Sequence, residues 1–199
     1  MQALNLKEEA AKLETQLESS CHDLKLSKEC HLLGRFLEIV KKDSTQAADV
    51  YKSNCLAGQD GESCYQLGQL YHTEKAMVDH GEAFAFNRRG CELGNAKCCL
   101  DAGLANLSDN LDEGCVGKDL SLAFQYVQRS CQLGSGFACH LLAGVYVAGI
   151  PGIVERDLSA AFRHDFEACK QLNFPPACAS LRATLNVTTK ATLHPSSGV

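Results

Sequence analysis

Ten of the twelve cysteines in this 199-residue chain fall into five pairs at one spacing: Cys21 and Cys30, Cys55 and Cys64, Cys91 and Cys99, Cys131 and Cys139, Cys169 and Cys178. The first members of successive pairs lie 34, 36, 40 and 38 residues apart. Such a period marks a module copied along the chain, each copy too small to bury a core alone and so stacked on its neighbours. Aligned on their cysteines, AADVYKSNCLAGQDGESCYQLGQLY, AFAFNRRGCELGNAKCCLDAGLANL, AFQYVQRSCQLGSGFACHLLAGVYV and AFRHDFEACKQLNFPPACASLRATL share an Ala-aromatic opening, a cysteine, a short polar turn, a second cysteine and an apolar stretch. The first copy keeps the cysteines without the aromatic and reads as an N-terminal cap.

Both halves of a copy carry the helical period. In the fourth, Leu120, Ala123, Phe124, Val127 and Cys131 stripe one helix face, and Cys139, Leu142, Ala143 and Tyr146 stripe the next. Between them Gly134 and Gly136 offer positive φ for a helix end and a tight turn. Four residues after the second cysteine a small residue recurs, which lets helices approach closely; Arg182 replaces it in the last copy, as suits a solvent-facing cap.

A cysteine ending one helix and another starting the next can meet across an αα-hairpin, since bridged Cα atoms need only come within about 4.4–6.8 Å. Closing a loop of about ten residues is worth roughly 2.7 kcal/mol in the chain-entropy model. Structural disulfides are therefore the favoured role of the pairs, with reduced core thiols and metal ligands as the alternatives. Zinc pairs sit two to four residues apart, a spacing these pairs do not have. His22, His31 and His140 each follow a cysteine, but other copies place Tyr65, Leu100 and Ala179 there. They read as exposed helix-surface histidines, and neither a metal nor a cofactor is called for.

Two cysteines stand outside the pairs as candidate free thiols. Cys98 sits at a helix start, where a thiol pKa is lowered, and is the candidate nucleophile. Cys115 lies among Asp112, Glu113 and Asp119, which push its pKa up. Inert thiols, exchange with client cysteines, and transient metal or haem contact all stay open. With no C-x-x-C and no catalytic constellation, an enzyme is not indicated; any activity would be thiol–disulfide exchange.

A formal charge of −5, with 45% hydrophobic and 22% charged residues, points away from nucleic acid and anionic membranes. No apolar run approaches the roughly 20 residues of a membrane span. The first 20 residues, with Glu8, Glu9, Glu14 and Glu18, have neither a secretory apolar core nor the basic character of a transit peptide. The expected organisation is one α/α solenoid over residues 1–188, with copies at about 3–42, 43–78, 79–117, 118–154 and 155–188, and a flexible tail at 189–199.

The Ala-aromatic opening, the turn before the second cysteine and the L-G-x-x-Y segment resemble Sel-one-like repeats, α/α solenoid relatives of tetratricopeptide repeats. The added cysteines resemble the cysteine-rich branch of that family. Within it, QAADVYKSNCLAGQDGESCYQLGQLY and GIPG at 149–152 look most like the mitochondrial intermembrane-space members that assist cytochrome c oxidase assembly. The resemblance spans about residues 20–188. It implies import without a presequence, oxidation by the disulfide relay, and a non-catalytic scaffold for respiratory-complex assembly. Its partners would be assembly factors or subunits together with the import machinery, and the chain would act as a monomer. A thiol–disulfide exchange factor and a secreted interaction protein are the rival functions. Some bacterial members carry a β-lactamase label, but this chain has no S-x-x-K, and Ser108-Asp109-Asn110 alone is a chance match. The sequons at Asn106 and Asn186 are expected to stay unmodified outside the secretory route.

Peptide mapping without reduction should recover five bridges, each local to its copy. A crossed bridge, such as Cys30 to Cys55, would refute the hairpin staple.

Overall fold

The computed structural model describes residues 2–107 and 116–192, with side-chain surroundings for 6–107 and 116–183. Among the described residues ten α-helices follow one another: α1 Gln2–His22, α2 Ser27–Phe36, α3 Ser44–Leu56, α4 Gly61–Thr73, α5 His80–Glu92, α6 Ala96–Leu104, α7 Leu120–Gln132, α8 Gly136–Ala148, α9 Leu158–Lys170 and α10 Pro175–Thr192. After α2 a single π turn spans Leu37–Lys41 and ends at left-handed Lys42. Taken in pairs these are five antiparallel hairpins, one per cysteine pair. Among the described residues the β content is one isolated bridge, Ile150 to Val154, in the loop before α9. The chain divides into two compact units, Met1–Asp119 with three hairpins and Leu120–Val199 with two. Ser108-Asp109-Asn110 and Cys115 fall outside the described residues. So do residues 193–199 of the expected tail, while α10 carries the chain helically through Thr192.

Every hairpin turns by the same device. The residue five before the second cysteine takes a left-handed conformation: Lys25, Gln59, Gly94, Gly134 and Asn173, with φ between 51° and 92°. The next residue's amide donates to the carbonyl just before the first cysteine, as in Leu26 to Ser20 (3.2 Å), Asp60 to Asn54 (3.2 Å), Asn95 to Gly90 (2.9 Å), Ser135 to Ser130 (3.1 Å) and Phe174 to Ala168 (2.9 Å). Where the pair is separated by 8 the left-handed residue is glycine; where it is separated by 9 a side chain is tolerated. Gly134 thus has the role expected of it, but Gly136 does not. Gly136 lies inside α8 and is small because a Cβ there would come within 2.8 Å of Phe174 Cβ.

Short polar residues start the helices by accepting from their orphan amides. Asp43, Asp79 and Asp157 cap α3, α5 and α9, accepting from Gln46, Glu82 and both Ser159 and Ala160. Asp60, Asn95 and Ser135 do the same for α4, α6 and α8. Each cap is worth about 0.5–2 kcal/mol.

The core follows the striped faces: Leu33, Tyr51, Leu67, Ala102, Leu142 and the bridged cysteines other than Cys178 are buried. In the first two copies the small residue four after the second cysteine sits against the next hairpin. A Cβ on Gly34 would overlap the Tyr51 ring, and one on Gly68 would lie 2.8 Å from Asn87 Oδ1. Arg182 is exposed, in keeping with a terminal face.

Gly94 and Gly144 separate backbone from packing effects, because an added Cβ meets nothing within 4 Å at either. Gly94→Ala must hold a left-handed conformation and should cost about 1–2 kcal/mol. Gly144→Ala, in mid-helix, should stabilise by up to about 1 kcal/mol. Thermal unfolding of the two variants should shift in opposite directions; shifts of one sign would contradict this turn geometry.

Candidate functional site

In each hairpin the first cysteine is the penultimate residue of its helix and the second is the fourth residue of the next. That register brings the Cα atoms to 4.6, 4.8, 4.5, 4.6 and 4.7 Å along the chain, and the structure joins Cys21 to Cys30, Cys55 to Cys64, Cys91 to Cys99, Cys131 to Cys139 and Cys169 to Cys178. All but half-buried Cys178 are buried. The joined sulfurs have no thiolate to offer, so in this state they are staples rather than nucleophiles or ligands.

Cys98 is free but does not have the character expected of a helix-start nucleophile. It is fully buried, and its Sγ lies 3.6 Å from the Gly61 carbonyl. Burial pushes its pKa far up, and the carboxylates of Asp101 and Glu62 add to the effect. Desolvation of the thiolate outweighs the helix terminus. Cys98 instead occupies a packing position. The residues just before the two cysteines of a copy face each other: Asn54 donates to Ser63 Oγ at 2.9 Å in the second copy, and Gly90 meets Cys98 in the third, where a Cβ on Gly90 would overlap the sulfur.

The histidines that follow cysteines are not all exposed, which corrects the surface assignment for two of them. His22 is exposed. His31 is half-buried, with Nδ1 3.1 Å from Ser63 Oγ and 3.7 Å from Asp60 of the next hairpin. Burial lowers its pKa, with Asp60 and Glu62 opposing. His140 reaches buried Asp165 of the next hairpin at 2.5 Å. Tyr65, at the same position in the second copy, carries the Lys97 ammonium over its ring at 5.0 Å. This position therefore bridges consecutive hairpins, and alignment of the copies hides it because the residue type changes.

Other contacts complete these seams. Ser27 Oγ donates to Asn54 Oδ1 at 3.0 Å, and Asn54 Nδ2 donates to the Ser27 carbonyl at 2.8 Å. Tyr51 Oη donates to Glu38 at 3.0 Å. Tyr71 stacks on Phe86 of the next hairpin and Tyr146 on His164, with ring centroids 5.7 and 5.4 Å apart. A cleft of about 240 Å³ opens beside the Cys21–Cys30 bridge, with Val50 and Ser53 of the next hairpin on its wall.

Paired helices, each pair closed by its own cysteine bridge and, within each unit, seamed to the next by aromatic and polar contacts, define a disulfide-stapled α/α repeat protein. The Sel1 repeat profile matches residues 61–95, 101–135 and 136–171, more than half of the chain. The chain belongs to the Sel1 repeat family, in the group whose relatives are named cytochrome c oxidase assembly factor 7. The Xenopus tropicalis protein of that name is 30% identical over 169 residues, 82% of this chain and 72% of that protein. The Drosophila melanogaster homolog is 26% identical over 89% of this chain and 79% of its own length. Among solved structures, a Sel1 repeat protein from Oxalobacter formigenes shares the fold at TM-score 0.63 and 22% identity, covering 75% of this chain and 60% of its own. Cysteine rich protein B of Helicobacter pylori does so at 0.53 and 24%, over 70% of this chain and 96% of its own.

Alkylation of the native protein should leave Cys98 unlabelled until the chain is denatured; rapid native labelling would contradict its burial. His31 and His164 both have pKa values lowered chiefly by burial. Their contribution to stability is complete above the unfolded imidazole pKa of about 6.5 and is lost as pH falls below it toward the folded values. His31→Asn should therefore flatten the acid side of the stability profile; an unchanged slope would contradict the assignment.

Proposed function

We propose that this chain is a non-catalytic assembly factor for respiratory chain complexes, chiefly cytochrome c oxidase, in the mitochondrial intermembrane space. The observation that carries the reading is membership of the group named for cytochrome c oxidase assembly, over 82% of this chain. The bridges support a compartment that oxidises cysteine, since the cytosol keeps thiols reduced. No helix among the described residues is long and apolar enough to cross a membrane. Recognition falls to surfaces such as the α9 stripe of Leu158, Phe162 and Phe166, exposed by 57%, 42% and 44% at i, i+4 and i+8. Action as a monomer, import by the disulfide relay and the working of residues 1–188 as one array belong to the same proposal.

The thiol-exchange alternative loses Cys98 as its nucleophile, for the reasons of burial and charge given above. The secreted alternative is not tested by Asn106, whose buried amide donates to the Ala102 carbonyl at 2.8 Å and leaves no room for a glycan. The side chain of Asn186 lies outside those described.

Protease protection decides location: the endogenous protein should resist protease in intact mitochondria and be digested once the outer membrane alone is ruptured. Affinity purification from the same mitochondria should recover cytochrome c oxidase subunits or their assembly factors. It should do so equally with Cys98→Ala, whereas an exchange factor using that thiol would lose its clients.

A further inference from the structure

The Cys131–Cys139 bridge differs from the others of the described residues in what faces it. Two positions of the following hairpin, five and two before its first cysteine, lie beside the Cys21–Cys30 bridge. These are Val50 and Ser53, neither of which is a strong metal ligand. Against Cys131–Cys139 they are His164 and Glu167. His164 Nδ1 lies 3.8 Å from Cys131 Sγ, and its ring is held parallel to Tyr146 at 5.4 Å. A Glu167 carboxylate oxygen and the two sulfurs all lie within 4.8 Å of one another. His164 and Glu167 share one face of α9, three residues apart.

We infer that, once the Cys131–Cys139 bridge is reduced, the fourth copy holds one zinc ion on Cys131, Cys139, His164 and Glu167. Two thiolates, an imidazole and a carboxylate form a tetrahedral donor set of the kind zinc prefers, and sulfur disfavours magnesium and calcium. Tetrahedral bonds of about 2.0–2.3 Å place donor atoms roughly 3.3–3.8 Å apart. The imidazole and Cys131 sulfur already stand at that separation; the sulfurs, once no longer bonded, open by side-chain rotation. The chemistry balances with a dithiol or phosphine as reductant. A dithiol supplies two electrons and two protons and itself becomes a disulfide; a phosphine supplies two electrons and becomes its oxide, one water giving the oxygen and both protons. Either way two thiols form, and zinc then displaces their two protons as both sulfurs bind as thiolates. The bridge thus excludes the metal when oxidised and supplies half of its ligands when reduced. This inference is independent of the assembly reading.

The test uses the full chain, reduced by a phosphine without oxygen, freed of reductant and given one equivalent of Zn²⁺ before alkylation and peptide mapping. Zinc should protect Cys131 and Cys139 selectively. Co²⁺ in its place should show thiolate charge-transfer and tetrahedral d–d bands. His164→Ala and Glu167→Gln should each weaken zinc binding by at least about tenfold in competition with a chromophoric chelator, a loss no smaller than that for removing an outer-shell partner. The unreduced chain should bind none at this site. Equal protection of every cysteine pair, unchanged affinity in the double variant, or loss of the helical circular dichroism on reduction even with zinc would each overturn the proposal. The first two outcomes would mean that the thiols act as loose ligands, and the third that the site has no fold to hold it.

Discussion

The structure depends on one geometric constraint, a bridge between the penultimate residue of one helix and the fourth residue of the next. With Cα atoms 4.5–4.8 Å apart, the two helix axes have little freedom to splay or slide. A left-handed residue and one backbone hydrogen bond complete the turn in all five copies. Each closure removes about 2.7 kcal/mol of loop entropy from the unfolded chain in the entropic account. That matters in an array whose modules touch only their neighbours and cannot draw on a central core. The same tightness dictates which residues flank the cysteines. Asn54 against Ser63 and Gly90 against Cys98 are two solutions to one narrow space, a polar pair in one copy and a small residue beside a thiol in the other.

The hairpins are alike inside and different at their seams. His31, Tyr65 and His140 occupy one position and use three chemistries, a hydrogen bond to a hydroxyl, a cation over a ring, and an ion-pairing contact with a carboxylate. Tyr71 stacks on a phenylalanine and Tyr146 on a histidine. Such variation is where a repeat array specifies the order of its modules. It also explains why one bridge alone, Cys131–Cys139, stands in a group of three or more potential metal ligands in the described part of the chain.

The helix stripes were legible in the sequence because cysteine and apolar residues recur at i, i+3, i+4 and i+7. Leu142 and Ala143 are buried as that period requires. The caps were equally available: an aspartate stands twelve residues before the first cysteine at Asp43, Asp79, Asp119 and Asp157, although a period of hydrophobicity does not call attention to it. What stayed hidden were properties of contact between copies. Cys98 looked reactive because its helix position is visible in sequence while its desolvation is not. His31 and His140 looked like surface residues because their partners, Ser63 and Asp165, lie 32 and 25 residues away. Gly136 looked like a turn residue, yet its constraint comes from Phe174 in the next hairpin.

The central claim is that each bridge holds its own hairpin and acts on others only through the seams. Hydrogen exchange of the Cys55→Ser, Cys64→Ser double variant tests it most directly. Amides of α3 and α4 should exchange markedly faster than in the parent chain, those of the adjoining α2 and α5 moderately faster, and those of α9 and α10 at unchanged rates. Uniform acceleration of every helix would mean that the chain opens as one block, and that the staples are not local constraints.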